Sequence, residues 1–246
     1  MIQLFKIILY QPLLNLLVFL YNILPGHDLG IAIIIITILI RLILWPLSQQ
    51  AVRSQKALQD IQPKLKIIQD KYKNDKQKMA TAMMEIYRQH KINPFSSMLP
   101  ILVQLPILIA VYQVFWKGLK ATQLALYSFV HNPGALNTLA FGFLDLSHRN
   151  IALAIITGLA QYWQTKMLTQ TKPPSEVAKK PGAKDENVMA IMNKQMNVMM
   201  PLLTVFIGIT LPSGLMLYWL VGLLLTILQQ KLVFKKPKTV APVNKQ

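Results

Sequence analysis

One basic side chain is set deep inside an apolar run. Arg41 lies in GIAIIIITILIRLILWPL, the stretch from Gly30 to Leu47. At a helical rise of about 1.5 Å per residue it sits about 18 Å below Leu29 and about 9 Å from Leu47. A guanidinium at that depth costs roughly 2.5–3.5 kcal/mol on insertion scales, so it must face water or a partner rather than lipid. Snorkelling to the nearer interface is one reading. Two turns of Ile, Leu and Trp in the way favour the other, a functional buried charge. Two amides join it: by the same rise, Gln104 lies about 10 Å from the cytoplasmic start of a second apolar run and Gln164 about 20 Å below the outer end of a third. In spans of about 30 Å the three side chains share nearly one depth, which suggests a polar cavity. Each glutamine alone would read as packing between helices. Thr37, one turn above Arg41, can bond back to its own helix. Tyr218 and Trp219, about 8 Å inside an outer turn, read by themselves as anchors in an aromatic belt.

No enzyme can be assembled from the remaining side chains. His27, His90, His131 and His148 fall in loops without metal-ligand spacing. The sequence contains no HExxH, no GxSxG and no phosphate loop. No apolar run pairs a Ser with a Lys or His, or holds two carboxylates. Neither a catalytic residue, a cofactor nor a metal is expected. A small transporter or pore is harder to exclude, because intramembrane charge also marks transport paths. Paired broken helices in related halves, frequent in transporters, are missing.

Composition sets the frame for these residues. The chain has 246 residues, 53% hydrophobic, with 26 Lys+Arg against 9 Asp+Glu and no Cys. The apolar residues are grouped in long blocks and the basic ones lie between them, as in a membrane protein rather than a nucleic-acid binder. Without cysteine there is no disulfide, thiolate metal site or lipidated Cys anchor. The start of the chain shows no signal-peptide cleavage pattern.

Five spans are predicted, about 29–47, 97–116, 151–168, 196–211 and 215–229. Residues 1–27 precede them. Gln11, Asn15 and Asn22 fall on one face there, which predicts an amphipathic helix lying in the outer interface, with a sixth span as the alternative. Residues 48–95 carry 10 basic and 4 acidic side chains. Leu58, Ile61, Leu65, Ile68 and Tyr72 recur at helical spacing, as do Met79, Met83, Ile86 and His90. They predict an antiparallel helical hairpin with a narrow seam, kinked at Pro63 and capped at Asn74-Asp75. Phe141, Phe143 and Leu144 in the loop 117–150 suit the interface. Ala154 and Gly158 suit close helix contact. Met189, Met192, Met196 and Met199 form a stripe entering the fourth span, more often packing than a site. Residues 231–246 form a basic tail. The hairpin, the segment 169–195 and the tail hold 10, 5 and 5 basic residues, while the other side holds Lys6, Lys117, Lys120 and Arg149. Positive charge stays inside, so the N-terminus is expected outside and the C-terminus in the cytoplasm.

Short motifs in order carry a resemblance. Thr37-Ile38-Leu39-Ile40-Arg41 with Pro46-Leu47, Leu58 to Pro63, Lys71 to Asp75, Met83 to Tyr87, Asn93-Pro94, Leu99 to Pro106, and Leu211 to Leu215 with Leu217-Tyr218-Trp219 together resemble the YidC/Oxa/Alb family of membrane protein insertases. The likeness covers essentially Asp28 to Gln230 and looks like the short bacterial form. One departure is Ser96-Ser97-Met98, where the family often has Gly-Gly-Cys. The resemblance implies an all-α integral membrane protein whose five spans form a polar groove, open to the cytoplasm and to lipid and closed outside. It implies that Arg41, Gln104, Gln164 and Trp219 line this groove and that Thr37, Tyr218 and Trp219 lie beside the substrate helix. It also implies residence in the bacterial cell membrane and nascent membrane proteins as substrates. The ribosome, the Sec translocon and membrane lipids are the implied partners, with no small-molecule substrate.

Overall fold

The structure, a computed structural model, describes residues 2–93, 99–118, 126–169 and 186–235. It is almost wholly helical, as predicted. The helices are α1 (Ile2–Phe5), α2 (Gln11–Ile23), α3 (Leu29–Ile43), α4 (Trp45–Lys71), α5 (Lys76–Gln89), α6 (Leu99–Gln113), α7 (Ile151–Thr169), α8 (Glu186–Gly208) and α9 (Ser213–Lys235). A π-helical turn, Lys6–Tyr10, joins α1 to α2, and another, Val114–Gly118, extends α6. Two short strands, β1 (Leu139–Ala140) and β2 (Leu144–Asp145), pair antiparallel with Leu139 opposite Asp145.

Among the described residues, two helices are long and apolar enough to cross a membrane, Gln3–Ile23 and Ser213–Phe234. A third candidate is α3 with α4, bent by 69° at a short break, and Gln104–Trp116 and Asn197–Gly208 are shorter apolar stretches. The bend corrects the extent of the first span, since the helix expected to reach Leu47 stops at Ile43. Pro46 is the cause. It has no N–H to give Leu42, and its ring crowds the Leu42 carbonyl, so the chain restarts as α4 with Pro46 in its first turn, where no N–H is needed. Arg41 therefore stands in the last turn of α3. Two other predicted edges also move. The helix of the predicted fourth span begins at Glu186, because residues 186–195 contain no Gly or Pro to stop a helix. That of the predicted fifth runs on into the tail to Lys235.

The N-terminal polar face is turned inward. Asn15, 3% exposed, donates to the Gln11 carbonyl at 2.8 Å and accepts from the Tyr127 amide at 2.7 Å. The Tyr21 hydroxyl accepts from the Asn137 amide, and the Asn22 amide donates to the His131 carbonyl. These side chains satisfy loop backbone that would otherwise lack partners. The amphipathic pattern thus records contact with the loop 126–150, while Leu4, Ile7, Ile8 and Ile23 stay exposed elsewhere on the rod.

That loop is clamped over the N-terminal ends of α3 and α9. Asp28 caps α3 through the amides of Gly30 and Ile31, and its second oxygen accepts from the Phe141 amide at 2.6 Å. Gly30 leaves room for the β turn: a Cβ there would stand 2.6 Å from the Cβ of Ala140. The Ser213 hydroxyl, at the start of α9, lies within hydrogen-bond distance of the carbonyls of Asp145 and His148, and the Gly214 amide donates to Leu146. Hydrogen bonds hold the Asp145 carboxyl well below the usual carboxylate range, first from the Ser147 hydroxyl, and further ones from the Ser147 amide and His148 add to it against the opposing effect of desolvation. Phe141 and Phe143 are exposed, whereas Leu144 belongs to the core rather than to an interfacial surface. Beneath the loop, Leu14, Leu17, Val18, Leu29, Ile33, Phe115, Leu146, Leu215 and Met216 form one apolar cluster.

On the far side of the bundle α7 packs closely on α8. A Cβ at Gly158 would overlap the Cγ2 of Val205, and one at Gly208 would stand 2.9 Å from the Cβ of Ala154. The small residues at 154 and 158 do permit close approach. The expected hairpin is formed by α4 and α5. α4 continues through Pro63 without a break, and Asp75 caps α5 through the Lys78 amide. Ile61 and Leu65 are buried midway along α4, and Lys64 reaches His90 at 2.8 Å across the two arms. Leu65→Asp would bury a carboxylate in this thin seam at a cost of roughly 3 kcal/mol. Limited proteolysis should then cut faster between Tyr72 and Asp75, with the protein still in the membrane. An unchanged rate would mean that α5 stays docked without the seam.

Candidate functional site

Three helices bring one polar side chain each to a common place. Helical side chains lean toward the N-terminus of their helix, which carries the Arg41 guanidinium back along α3 and away from the bend. It comes to rest on α9 at Gly222. A Cβ there would stand 2.8 Å from Nη2, 3.4 Å from Nε and 3.6 Å from Cζ, so the fork lies against bare backbone. Tyr218, one turn earlier on α9 and 3% exposed, is close enough to Arg41 for the two to couple electrostatically. Its hydroxyl accepts a hydrogen bond of 3.1 Å from the Gln104 amide of α6. That leaves the hydroxyl proton of Tyr218 and the outward N–H groups of Arg41 available to a visiting acceptor.

Among the described residues no carboxylate neutralises this charge. Asp75–Lys78, Glu85–Arg88 and Asp145–His148 form ion pairs elsewhere, and none includes Arg41. A half-buried guanidinium without a carboxylate attracts anionic groups and orders water. Above Tyr218 the packing turns apolar. A cavity of about 10 Å³ there is lined by Leu13, Leu17, Ile33, Ile36, Val111, Val114, Phe115 and Tyr218, and is too small and too apolar to hold water. Polar chemistry therefore stops at Tyr218, and the clamped loop covers the side beyond it.

The other expected residues lie apart. Thr37 is fully buried and its hydroxyl donates to the Ile33 carbonyl at 2.6 Å, within its own helix. Gln164, half-buried on α7, accepts at 2.8 Å from Gln161, which also reaches Thr165. Among the described residues no hydrogen bond joins Gln164 to Arg41, Gln104 or Tyr218. Trp219 is half-buried and packs against the apolar cluster. Of the methionine stripe only Met199 has a described side chain, and it is exposed; Met189, Met192 and Met196 lie outside the described side chains.

Several residues join the site without having been foreseen. Gly222 gives Arg41 its seat, and Thr226 donates to the Gly222 carbonyl at 2.8 Å. Gln229 holds the bend between α3 and α4, accepting from the Ser48 hydroxyl at 2.9 Å and donating to the Trp45 carbonyl at 3.3 Å. Gln230, 1% exposed, has neither amide atom bonded. Thr226 and Gln230, four apart on α9, are the polar positions here that are legible in the sequence.

Comparison with known proteins gives these positions a context. The family model described as 60Kd inner membrane protein matches residues 19–240. A Geobacter metallireducens protein named membrane protein insertase YidC is 34% identical over 229 residues, 92% of this chain and 37% of that protein. Proteins of the same name from Clostridium tetani and Fusobacterium nucleatum are each 34% identical, over 85% and 93% of this chain and 84% and 98% of their own lengths. The chain thus spans less than two fifths of the Geobacter protein and nearly all of the Fusobacterium one.

Proposed function

The chain belongs to the 60Kd inner membrane protein family, that of the YidC/Oxa/Alb insertases, and from that footing we propose that it moves nascent membrane proteins from the cytoplasm into the bilayer. In this reading α3, α6, α7, α8 and α9 are the five spans, with the N-terminus outside and the C-terminus in the cytoplasm, and the rod from Ile2 to Ile23 lies obliquely at the outer interface. Arg41, Gln104 and Tyr218 face a groove open to the cytoplasm and to lipid. Gln164 and Trp219 line it farther along, and Thr37 backs the wall beside the inserting helix with its methyl group, since its hydroxyl is engaged. The observation that carries the proposal is the Arg41 guanidinium, resting on Gly222 beside a tyrosine and a glutamine, with no carboxylate partner among the described residues and with apolar packing on the outer side.

The mechanism needs no nucleotide. A nascent single- or double-spanning protein places its polar outer tail in the groove. Water, Arg41 and the amides replace part of the solvation that the tail loses on leaving the cytoplasm. Its apolar segment then slides past α3 and α9 into lipid. Each acidic residue moved outward gains roughly 2.3 kcal/mol per 100 mV of membrane potential, comparable with the cost of one intramembrane charge. Membrane potential and hydrophobic transfer together drive the event. The ribosome and the Sec translocon are proposed as partners, and the basic hairpin and tail offer them a cytoplasmic surface.

Purified protein in liposomes tests this against a pore or small transporter. A short single-spanning protein with an acidic outer tail should become protease-protected in proteoliposomes, and more so under an imposed potential. Release of small solutes without any protected fragment would overturn the insertase reading.

A further inference from the structure

The β1–β2 hairpin is apolar on both of its faces. Along a strand, successive side chains point to opposite sides. On one side Ala140, Leu144 and Leu146 are buried in the apolar cluster. On the other, Leu139, Phe141 and Phe143 are exposed, Phe143 at 80%. Asp145, opposite Leu139 at the foot of that face, is tied to Ser147 and His148. An antiparallel pair with one face on a core commonly turns polar side chains to the other. Here water would meet a leucine and two phenylalanines at alternate positions.

The tip departs from the usual chemistry of its turn. The Phe143 amide donates to the Ala140 carbonyl at 3.1 Å, and Phe141 and Gly142 both have positive φ, 55° and 78°. That backbone form favours Asn-Gly, because a bulky side chain is strained at positive φ. Phe141 holds the position nonetheless. Its amide is bonded to the Asp28 carboxylate, and its ring lies against Gly30, where an added Cβ would stand 2.9 Å from Cζ. Phe143 stands beside it, with ring centres 6.2 Å apart.

The placement of the hairpin tells what covers this face. It is fastened to Asp28 at the start of α3. Through the Asp145 and His148 carbonyls and Leu146 it is fastened to Ser213 and Gly214 at the start of α9. Two apolar helices begin at these points. If α3 and α9 span the membrane, as proposed above, both points mark the edge of the hydrocarbon layer and the aromatic tip is level with it. Aromatic rings are enriched at that boundary. Exposed Ile31 and Ile38, seven apart on one side of α3, continue apolar surface from this edge toward the middle of the span.

We propose that the hairpin is a wedge inserted in lipid. Leu139, Phe141 and Phe143 enter the leaflet that borders the N-terminal ends of α3 and α9, with the rings between headgroups and acyl chains. The partner is a bilayer surface without headgroup preference, since these three side chains carry no charge. Hydrogen bonds tie the wedge to both helices, so their N-terminal ends keep one depth while a chain passes between them.

The lack of cysteine lets a nitroxide be attached at a single place. The purified full chain with Phe143→Cys, Leu224→Cys or Asn74→Cys is labelled and reconstituted in phosphatidylcholine liposomes. Collision with oxygen, which concentrates in lipid, and with a water-soluble nickel chelate then reads the depth of each label. The label at position 143 should lie about 5–10 Å into the headgroup and acyl boundary. The label at 224 should lie deeper, and the label at 74, in the turn between α4 and α5, should be in water. Adding phosphatidylglycerol should leave the depth at 143 unchanged. Circular dichroism of each variant checks that the helices are intact. A label at 143 as open to nickel as the one at 74, with 224 in lipid, would overturn the wedge alone and assign its face to a protein partner. Water access at 224 as well would overturn the span α9 and the wedge with it.

Discussion

Arg41→Ala and Arg41→Glu are expected to lower insertion of a substrate with an acidic outer tail by about ten- to hundredfold, the equivalent of roughly 1.5–3 kcal/mol for a charge-assisted contact. Arg41→Lys should keep much of the activity. The guanidinium lies on Gly222 with no carboxylate partner among the described residues, so its service to a substrate is positive charge at a fixed place rather than a planar fork closed on a partner. A lysine can place its ammonium in the same space. A substrate whose tail lacks acidic residues should suffer less from Arg41→Ala, because the Coulombic attraction is absent for it. Insertion of one test substrate, with and without its acidic tail residues, is the measurement, at matched expression of each variant. Equal loss for both substrates would contradict attraction and leave Arg41 as a group that hydrates the groove.

The second large effect is on stability. Gly158→Leu should lower the midpoint of thermal unfolding in detergent by on the order of 10 °C, corresponding to roughly 3 kcal/mol of overpacking. The Cβ alone would overlap Val205 and stand 3.3 Å from the Pro201 carbonyl, part of a backbone that cannot step aside. Helices in a membrane have little hydrophobic drive to stay together, so close contact at small residues carries much of the attraction between α7 and α8. Gly158→Ala should show a smaller drop. Leu159→Ala, beside it but exposed on the surface of α7, should be close to neutral. An unchanged midpoint for Gly158→Leu would mean that the two helices are held by other contacts.

These two cases mark what can and cannot be read from sequence. Long apolar blocks fixed the helices, because period and length survive whatever the neighbours are. Arg41 stood out, because a charge in such a block has no local explanation. The exit from α3 was misjudged at Leu47 because the apolar run continues past the place where Pro46 breaks the helix. Gly222 carried no signal, since its contribution is an absent side chain and becomes visible only against the Arg41 fork. Depth counting put Arg41, Gln104 and Gln164 at one level, but it cannot tell which way each helix turns its face. Rotation about the axis brings Gln104 to Tyr218 and pairs Gln164 with Gln161. The polar stripe of the N-terminal rod was legible, yet its partner, the backbone of a loop more than a hundred residues away, was not.

The central claim is that the face of α9 bearing Tyr218 and Trp219 meets the inserting chain, while the face bearing Leu224 meets lipid. A photo-reactive amino acid in place of Trp219, or separately in place of Leu224, reads this directly when a ribosome-bound nascent membrane protein is stalled partway through insertion. Adducts to the nascent chain from position 219 and not from position 224 are predicted. Adducts from position 224 alone, or equally from both, would contradict the placement of the groove.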